Sequence, residues 1–223
     1  MQPTLIVIEG LDGSGKATQT TLLEAKLKEM GIPVRRVSFP DYAEPSSELV
    51  KMYLGGAFGS DPDAVNAYAA SLFYAVDRYA SYKRLWQADY ENGTVILADR
   101  YVTSNAIYQM TKLPQTQWPE FLQWLSDLEY DKMGLPRPQQ TIYLDMPPEV
   151  SQKMLSARYR GDESKKDIHE SHVEFLRQCR ATALYAGERW HWRRIGCAED
   201  DAPRPIDAIA KQVLEAAMEV LDD

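Results

Sequence analysis

Leu5-Ile6-Val7-Ile8-Glu9-Gly10-Leu11-Asp12-Gly13-Ser14-Gly15-Lys16 is the stretch on which the fold turns. Leu5 to Ile8 is an apolar run too short for a helix, and the glycines that follow break it, so it reads as a buried parallel strand. Beyond the loop, residues 17–30 carry Leu22, Leu23 and Leu27 on one face and stop at Gly31-Ile32-Pro33, as a helix with a glycine end signal does. Gly10 to Lys16 fits GxxxxGK between that strand and that helix. In this setting the loop N–H groups and the helix N-terminus surround phosphates, and Lys16 reaches the β and γ oxygens of a nucleoside triphosphate. A plain Gly-rich turn before a helix is the alternative, and the flanking elements argue against it. Gly10, Asp12, Gly13, Ser14, Gly15, Lys16, Ala17 and Thr18 are therefore the candidate nucleotide-binding residues. Ala17 departs from the pattern, because a Ser or Thr normally offers Mg²⁺ a hydroxyl there.

Working outward, residues 34–39 form the next expected strand, and residues 63–90, without Pro or Gly, form a long helix closing at Asn92-Gly93. Residues 94–98 are another short apolar run and deliver Asp99-Arg100-Tyr101 at its end; residues 141–144 repeat the pattern and deliver Asp145. Helices are expected over 118–133, 148–158, 166–186 and 205–221, with a weak last strand at 193–197. Strands alternating with helices imply parallel βαβ units with right-handed crossovers, and hence an α/β fold of three layers around a parallel sheet of about five strands. Ligands belong at the carboxyl ends of such strands. One domain over residues 1–223 is expected.

The chain has 223 residues, 44% of them hydrophobic, and a formal net charge of -8. That is enough to bury a full core, and the charge argues against a coat for nucleic acid or an anionic membrane surface. Cys179 and Cys197 lie in no CxxC pair and are expected to be reduced thiols. No run reaches the roughly 20 apolar residues of a membrane span, and the start has no basic n-region, so a cytoplasmic protein is expected. There is no NKxD guanine motif, and the one later DxxG, from Asp131 to Gly134, follows a helix, which argues against a signalling GTPase.

Three further segments narrow the reading: Phe39-Pro40-Asp41-Tyr42, Leu72-Phe73-Tyr74-Ala75-Val76-Asp77-Arg78 and Asp99-Arg100-Tyr101. Together with residues 10–19 and Leu144-Asp145-Met146-Pro147-Pro148-Glu149, in this order, they resemble the thymidylate kinase family across nearly the whole chain. Tyr74 and Arg78 are four apart, so a helix sets them on one face, where a ring can stack on a base and a guanidinium can donate to its carbonyl. On the residues alone a core aromatic and a solvated charge are the favoured reading, and the resemblance is what implies that they hold the base. Phe73 is assigned to the core. Arg100, at the ligand edge, can hold an acceptor phosphate bidentately, and Asp99 can orient Mg²⁺ through water.

The resemblance implies the P-loop nucleoside-monophosphate kinase fold and ATP-dependent phosphorylation of dTMP to dTDP. It further implies Asp12 approaching the acceptor sugar, Tyr42 its phosphate, and Phe39, Pro40, Ser104 and Tyr108 in the acceptor pocket, with a homodimer as the assembly. It places a closing lid over residues 158–167, whose Arg158 and Arg160 are candidates to neutralise the transferring phosphoryl group, since the P-loop carries no Arg of its own. Some family members have Arg where this chain has Asp41. Two rivals stay open at this point: a deoxynucleoside kinase using Asp41 as base, and a nucleotide-binding pseudoenzyme, motivated by Ala17.

Overall fold

A computed structural model describes residues 2–59, 61, 64–158 and 173–221, with the helix backbone alone over 154–158. Its centre is a five-stranded parallel sheet in the order β2-β3-β1-β4-β5. The strands are β1 (Leu5–Gly10), β2 (Val34–Ser38), β3 (Val95–Asp99), β4 (Gln140–Asp145) and β5 (Arg193–Gly196). The first, third and fourth are covered on both faces, and β1 is buried throughout, as expected of continuous apolar runs in a parallel sheet. β2 lies at an edge and carries Arg35 and Arg36, charges that blunt an edge against further pairing.

Alternation along the strands divides the core. Ile6, Ile8, Leu97, Ile142 and Leu144 face α1 (Lys16–Glu29), and they share that layer with Ile209 and Val213 of the C-terminal helix Ile206–Met218. Leu5, Val7, Ile96, Ala98 and Tyr143 face the other layer, with Tyr82, Trp86, Phe121, Leu125 and Cys179. The three-layer expectation holds.

The long helix expected over 63–90 is subdivided. Ala67–Ser81 is α-helical, Tyr82–Trp86 is a π turn, and Gln87–Glu91 resumes the α form. Trp86, fully buried, packs edge-on against Tyr82 and Tyr101, so the register shift serves a large side chain that must enter the core. Helix Trp118–Ser126 likewise ends in a π turn, Asp127–Lys132. Short helices at Glu48–Leu54 and Val102–Tyr108, and a small antiparallel hairpin of Ala198–Glu199 with Ala202–Pro203, were not expected from the sequence as a whole. The expected helix over 166–186 is described from Val173 and runs to Arg189. Phe73 is a correction: it is half-buried and packs on Tyr53 and Phe58 outside the main core, because the helix face it occupies meets Glu48–Leu54 and not the sheet.

Candidate active site

β1 ends in the Gly-rich loop and the neighbouring β3 ends in Asp99-Arg100, so register alone brings the two segments together. Gly10 sits so close to β4 that an added Cβ would stand 2.6 Å from Ser14 Oγ and 2.9 Å from the Leu144 carbonyl oxygen. Gly15 caps α1 in the left-handed region at φ 88°, which turns the first helical N–H groups toward the loop. Ser14 is 2% exposed and its hydroxyl has no partner among the described residues. A buried orphan donor in this loop fits a phosphate oxygen.

Lys16 folds back to donate to the Gly10 and Leu11 carbonyls at 2.8 and 3.0 Å. Burial, and next the neighbouring Arg100, lowers its pKa to about 8 against the opposing pull of Asp12, Glu9 and Asp99. Arg100 has a backbone φ of 69°, in the left-handed region that non-glycine residues rarely adopt. Its Nη2 donates to Asp12 Oδ1 at 2.5 Å, its Nη1 donates to the Tyr108 hydroxyl at 3.1 Å, and Glu9 Oε1 lies 3.5 Å away. Burial opposes the charge, but Tyr108, Asp12 and Glu9 outweigh it and hold the guanidinium well above its ordinary pKa.

Glu9 is wholly buried at the end of β1. It accepts from the Gly10 N–H, the Thr103 hydroxyl at 2.9 Å and the Ser104 hydroxyl at 2.7 Å, and so ties the loop to helix Val102–Tyr108.

A cavity of about 540 Å³ opens over this centre and continues to helix Ala67–Ser81. The phosphate-loop residues from Asp12 to Thr18, Tyr74 and Arg78 of that helix, and Arg100, Ser104 and Tyr108 all border it. Phe39, Pro40, Tyr42 and Asp99 complete the wall, so the expected acceptor and metal positions are gathered in one space. Gly10 stands behind the loop. The side chain of Arg158, and Arg160 and the lid segment as a whole, lie outside the described residues.

Arg78 is 1% exposed, and its Nε and Nη2 donate to Glu129 Oε2 and Oε1 at 2.7 and 2.6 Å. Burial would depress its pKa, but the Glu129 carboxylate reverses the sign and raises it. Asn105 Nδ2 joins the same carboxylate at 3.1 Å. Tyr74, half-buried, meets Tyr53 edge-on at 6.3 Å, and burial pushes its hydroxyl pKa up. Tyr108 is half-buried and borders the cavity, so its ring is not lost to the core.

Four contributors escaped the sequence reading. Glu129 had a readable signal: it follows Phe121 and Leu125 at helical spacing, an acid on an apolar stripe. Asn105, Gln109 and Lys112 had none beyond their place after the Asp-Arg pair. Gln109 borders the cavity with a buried Oε1 that has no partner among the described residues. Lys112 Nζ donates to the Tyr53 hydroxyl and the Val65 carbonyl, both at 2.8 Å, and so closes the far rim.

Asp41 does not border the cavity. Its Oδ2 accepts from Ser81 at 3.1 Å, while its N–H donates to the buried Asp77. The carboxylate that kept a deoxynucleoside kinase open is thus turned away from the site. Both cysteines are buried free thiols; burial drives each pKa up, that of Cys197 to about 12, which removes them as nucleophiles.

A phosphate loop at the sheet's ligand edge, sharing one cavity with an aromatic and guanidinium pocket, defines a P-loop kinase of the nucleoside-monophosphate type. The family model described as thymidylate kinase matches residues 8–199. Among similar proteins, the thymidylate kinase of Mycobacterium tuberculosis (strain CDC 1551 / Oshkosh) is 29% identical over 195 residues, 83% of this chain and 89% of that one. The probable thymidylate kinase of Thermococcus gammatolerans is 30% identical over 212 residues, 93% and 95% of the two chains. That of Thermomicrobium roseum, named thymidylate kinase, is 30% identical over 220 residues, 97% and 95%. The chain belongs to the thymidylate kinase family.

Proposed function

We propose that the protein transfers the γ-phosphoryl group of ATP to dTMP, giving dTDP and ADP. The observation that carries this is the single cavity in which the phosphate loop and the Tyr74–Arg78 pocket meet across Arg100. The loop N–H groups, Ser14 and Lys16 hold the donor phosphates, while Arg100 leaves Asp12 to grip the acceptor phosphate. Transfer is in line, with no covalent intermediate on the protein. Its catalysis is positioning and neutralisation of charge on the equatorial oxygens. Arg158 and Arg160 are the candidate cations for that neutralisation.

At the other end, Tyr74 stacks on the base and Arg78, its Nε and Nη2 held by Glu129, keeps Nη1 for a carbonyl at C4. Gln109 Oε1 supplies an acceptor suited to an imide N–H. Tyr108 lies against the sugar and Tyr42 at the phosphate. Cytosine offers an amino group where thymine has the C4 oxygen; the mispaired donors cost about 1–3 kcal/mol, or roughly ten- to a hundredfold against dCMP.

Mg²⁺ is the metal of the reaction, and the donor set fits an ion brought in by its nucleotide. Asp99 and Ala17 both border the cavity; Asp99 can contact bound water, while residue 17 gives no side-chain oxygen. The ion, when bound, shields phosphate charge; every other contact above belongs to the chain.

A second copy of the chain is proposed as the partner. Leu72, Val76 and Tyr79 form an exposed apolar stripe on helix Ala67–Ser81, at 41, 46 and 40% exposure. Among the described residues no helix is long and apolar enough to cross a membrane, and a cytoplasmic location is proposed from this and the reduced thiols. A coupled assay with ATP, Mg²⁺ and a panel of nucleosides and monophosphates tests the reading: dTMP should exceed dUMP modestly and dCMP, UMP and thymidine strongly. Preference for thymidine, dCMP or a ribonucleotide would refute it.

A further inference from the structure

Ala17 leaves a gap in the phosphate-loop pattern, and the structure brings a cation to its edge. Arg36 pairs with Leu97 and Ser38 with Asp99 across β2 and β3, so Arg36 and Asp99 share the sheet face that α1 covers. On α1, Ala17 and Thr21 stand one turn apart and are both exposed, and the Thr21 hydroxyl donates to the Ala17 carbonyl at 2.8 Å. Arg36 spans the junction: its Nη1 donates to Thr21 Oγ1 at 3.1 Å and its Nη2 to Asp99 Oδ2 at 3.3 Å. Ala17 and Asp99 both border the cavity. Where the pattern places a hydroxyl, this chain has a methyl group, and the carboxylate of Asp99 already holds a guanidinium.

We propose that Arg36 is a resident cation of the metal subsite, a positioning residue that occupies one oxygen of Asp99 and makes the subsite accept a divalent ion only together with nucleotide phosphates. The inference rests on the kinase reading of the cavity and deepens it. A guanidinium in contact with Asp99 cancels the charge that would attract a free ion, and it repels that ion directly. The methyl of Ala17 withholds the second ligand. Phosphate oxygens, carrying several negative charges, overcome this repulsion where one neutralised carboxylate does not. The pair is partly open to water, with side chains 31% and 14% exposed, so the repulsion is screened and its size is modest. The competing view, an edge-strand ion pair with no measurable consequence, is common for such contacts.

Mn²⁺ binding without nucleotide, followed by electron paramagnetic resonance of the free ion, separates the two. Arg36→Met should bind Mn²⁺ about tenfold more tightly than the wild type. Arg36→Gln, which keeps a hydrogen-bonding group but no charge, should show the same gain, and Arg36→Lys should stay near the wild type. The gain should vanish when Asp99→Asn is added to Arg36→Met. An unchanged Mn²⁺ affinity in natively folded Arg36→Gln or Arg36→Met, or a gain that survives Asp99→Asn, would overturn the inference. Failure of the wild type to bind a fluorescent ADP would bring down the kinase reading and the inference with it. Nucleotide binding with an unresponsive Mn²⁺ affinity would overturn the inference alone.

Discussion

At the scale of single residues, the site is organised by two cations that share Asp12. Lys16 rests on carbonyls of its own loop with its pKa lowered to about 8. Phosphate favours the ammonium form, so nucleotide binding should raise that pKa. At pH 8.5 the free protein carries Lys16 partly neutral, and binding should take up a proton; affinity should fall as pH rises further above 8. Calorimetry of ADP binding at pH 8.5, in buffers of different ionisation enthalpy, reads the proton count directly, and zero uptake would contradict the assignment.

Arg100 is held by Asp12, Tyr108 and Glu9 beside the phosphate loop. Arg100→Ala should cost about 1.5–3 kcal/mol of acceptor contact, which is roughly a ten- to a hundredfold loss in kcat/KM for dTMP. Unchanged kinetics would remove Arg100 from the site. Lys16 and Arg100 stood out in the sequence because a glycine pattern and a strand end fixed their place; helical spacing put Tyr74 and Arg78 on one face, but only the family resemblance pointed that face at a base. Gln109 was not: a polar residue after an aromatic one on a short helix has no periodic signature, and only its burial reveals it.

At the scale of elements, the acceptor pocket depends on how two helices are fastened. Arg78 on Ala67–Ser81 and Glu129 on the π turn Asp127–Lys132 form a buried bidentate pair, with Asn105 from a third helix on the same carboxylate. Removing one partner leaves an uncompensated buried charge. Glu129→Ala should therefore destabilise the fold by about 3–5 kcal/mol and lower Tm by roughly 6 °C or more. The surviving protein should also lose discrimination between dTMP and dCMP, since Arg78 is no longer aimed. A thermal scan showing no shift would mean that the pair contributes nothing net.

Helix starts and stops were legible where Gly or Pro punctuates the chain, as at Gly31 and Asn92-Gly93. The π turn at Tyr82–Trp86 was not, because it answers to the volume of Trp86 in a core built from distant segments. Helix Glu48–Leu54 was missed because seven residues are too few to show a period.

At the scale of the whole molecule, parallel strand order places every phosphate-facing segment at one edge of the sheet. Leu72, Val76 and Tyr79 are exposed on helix Ala67–Ser81, and the proposed dimer rests on them. Val76→Lys should turn a dimer into a monomer in light scattering at micromolar concentration; a wild-type protein that is already monomeric would contradict the proposed assembly.

The central claim is that one cavity holds a donor triphosphate and thymidine monophosphate in line for transfer. Phosphorus NMR of the protein with ATP, Mg²⁺ and dTMP tests it most directly. The account predicts that ATP disappears and dTDP appears one for one. ATP hydrolysed to ADP and inorganic phosphate without dTDP, or no turnover at all, would contradict it.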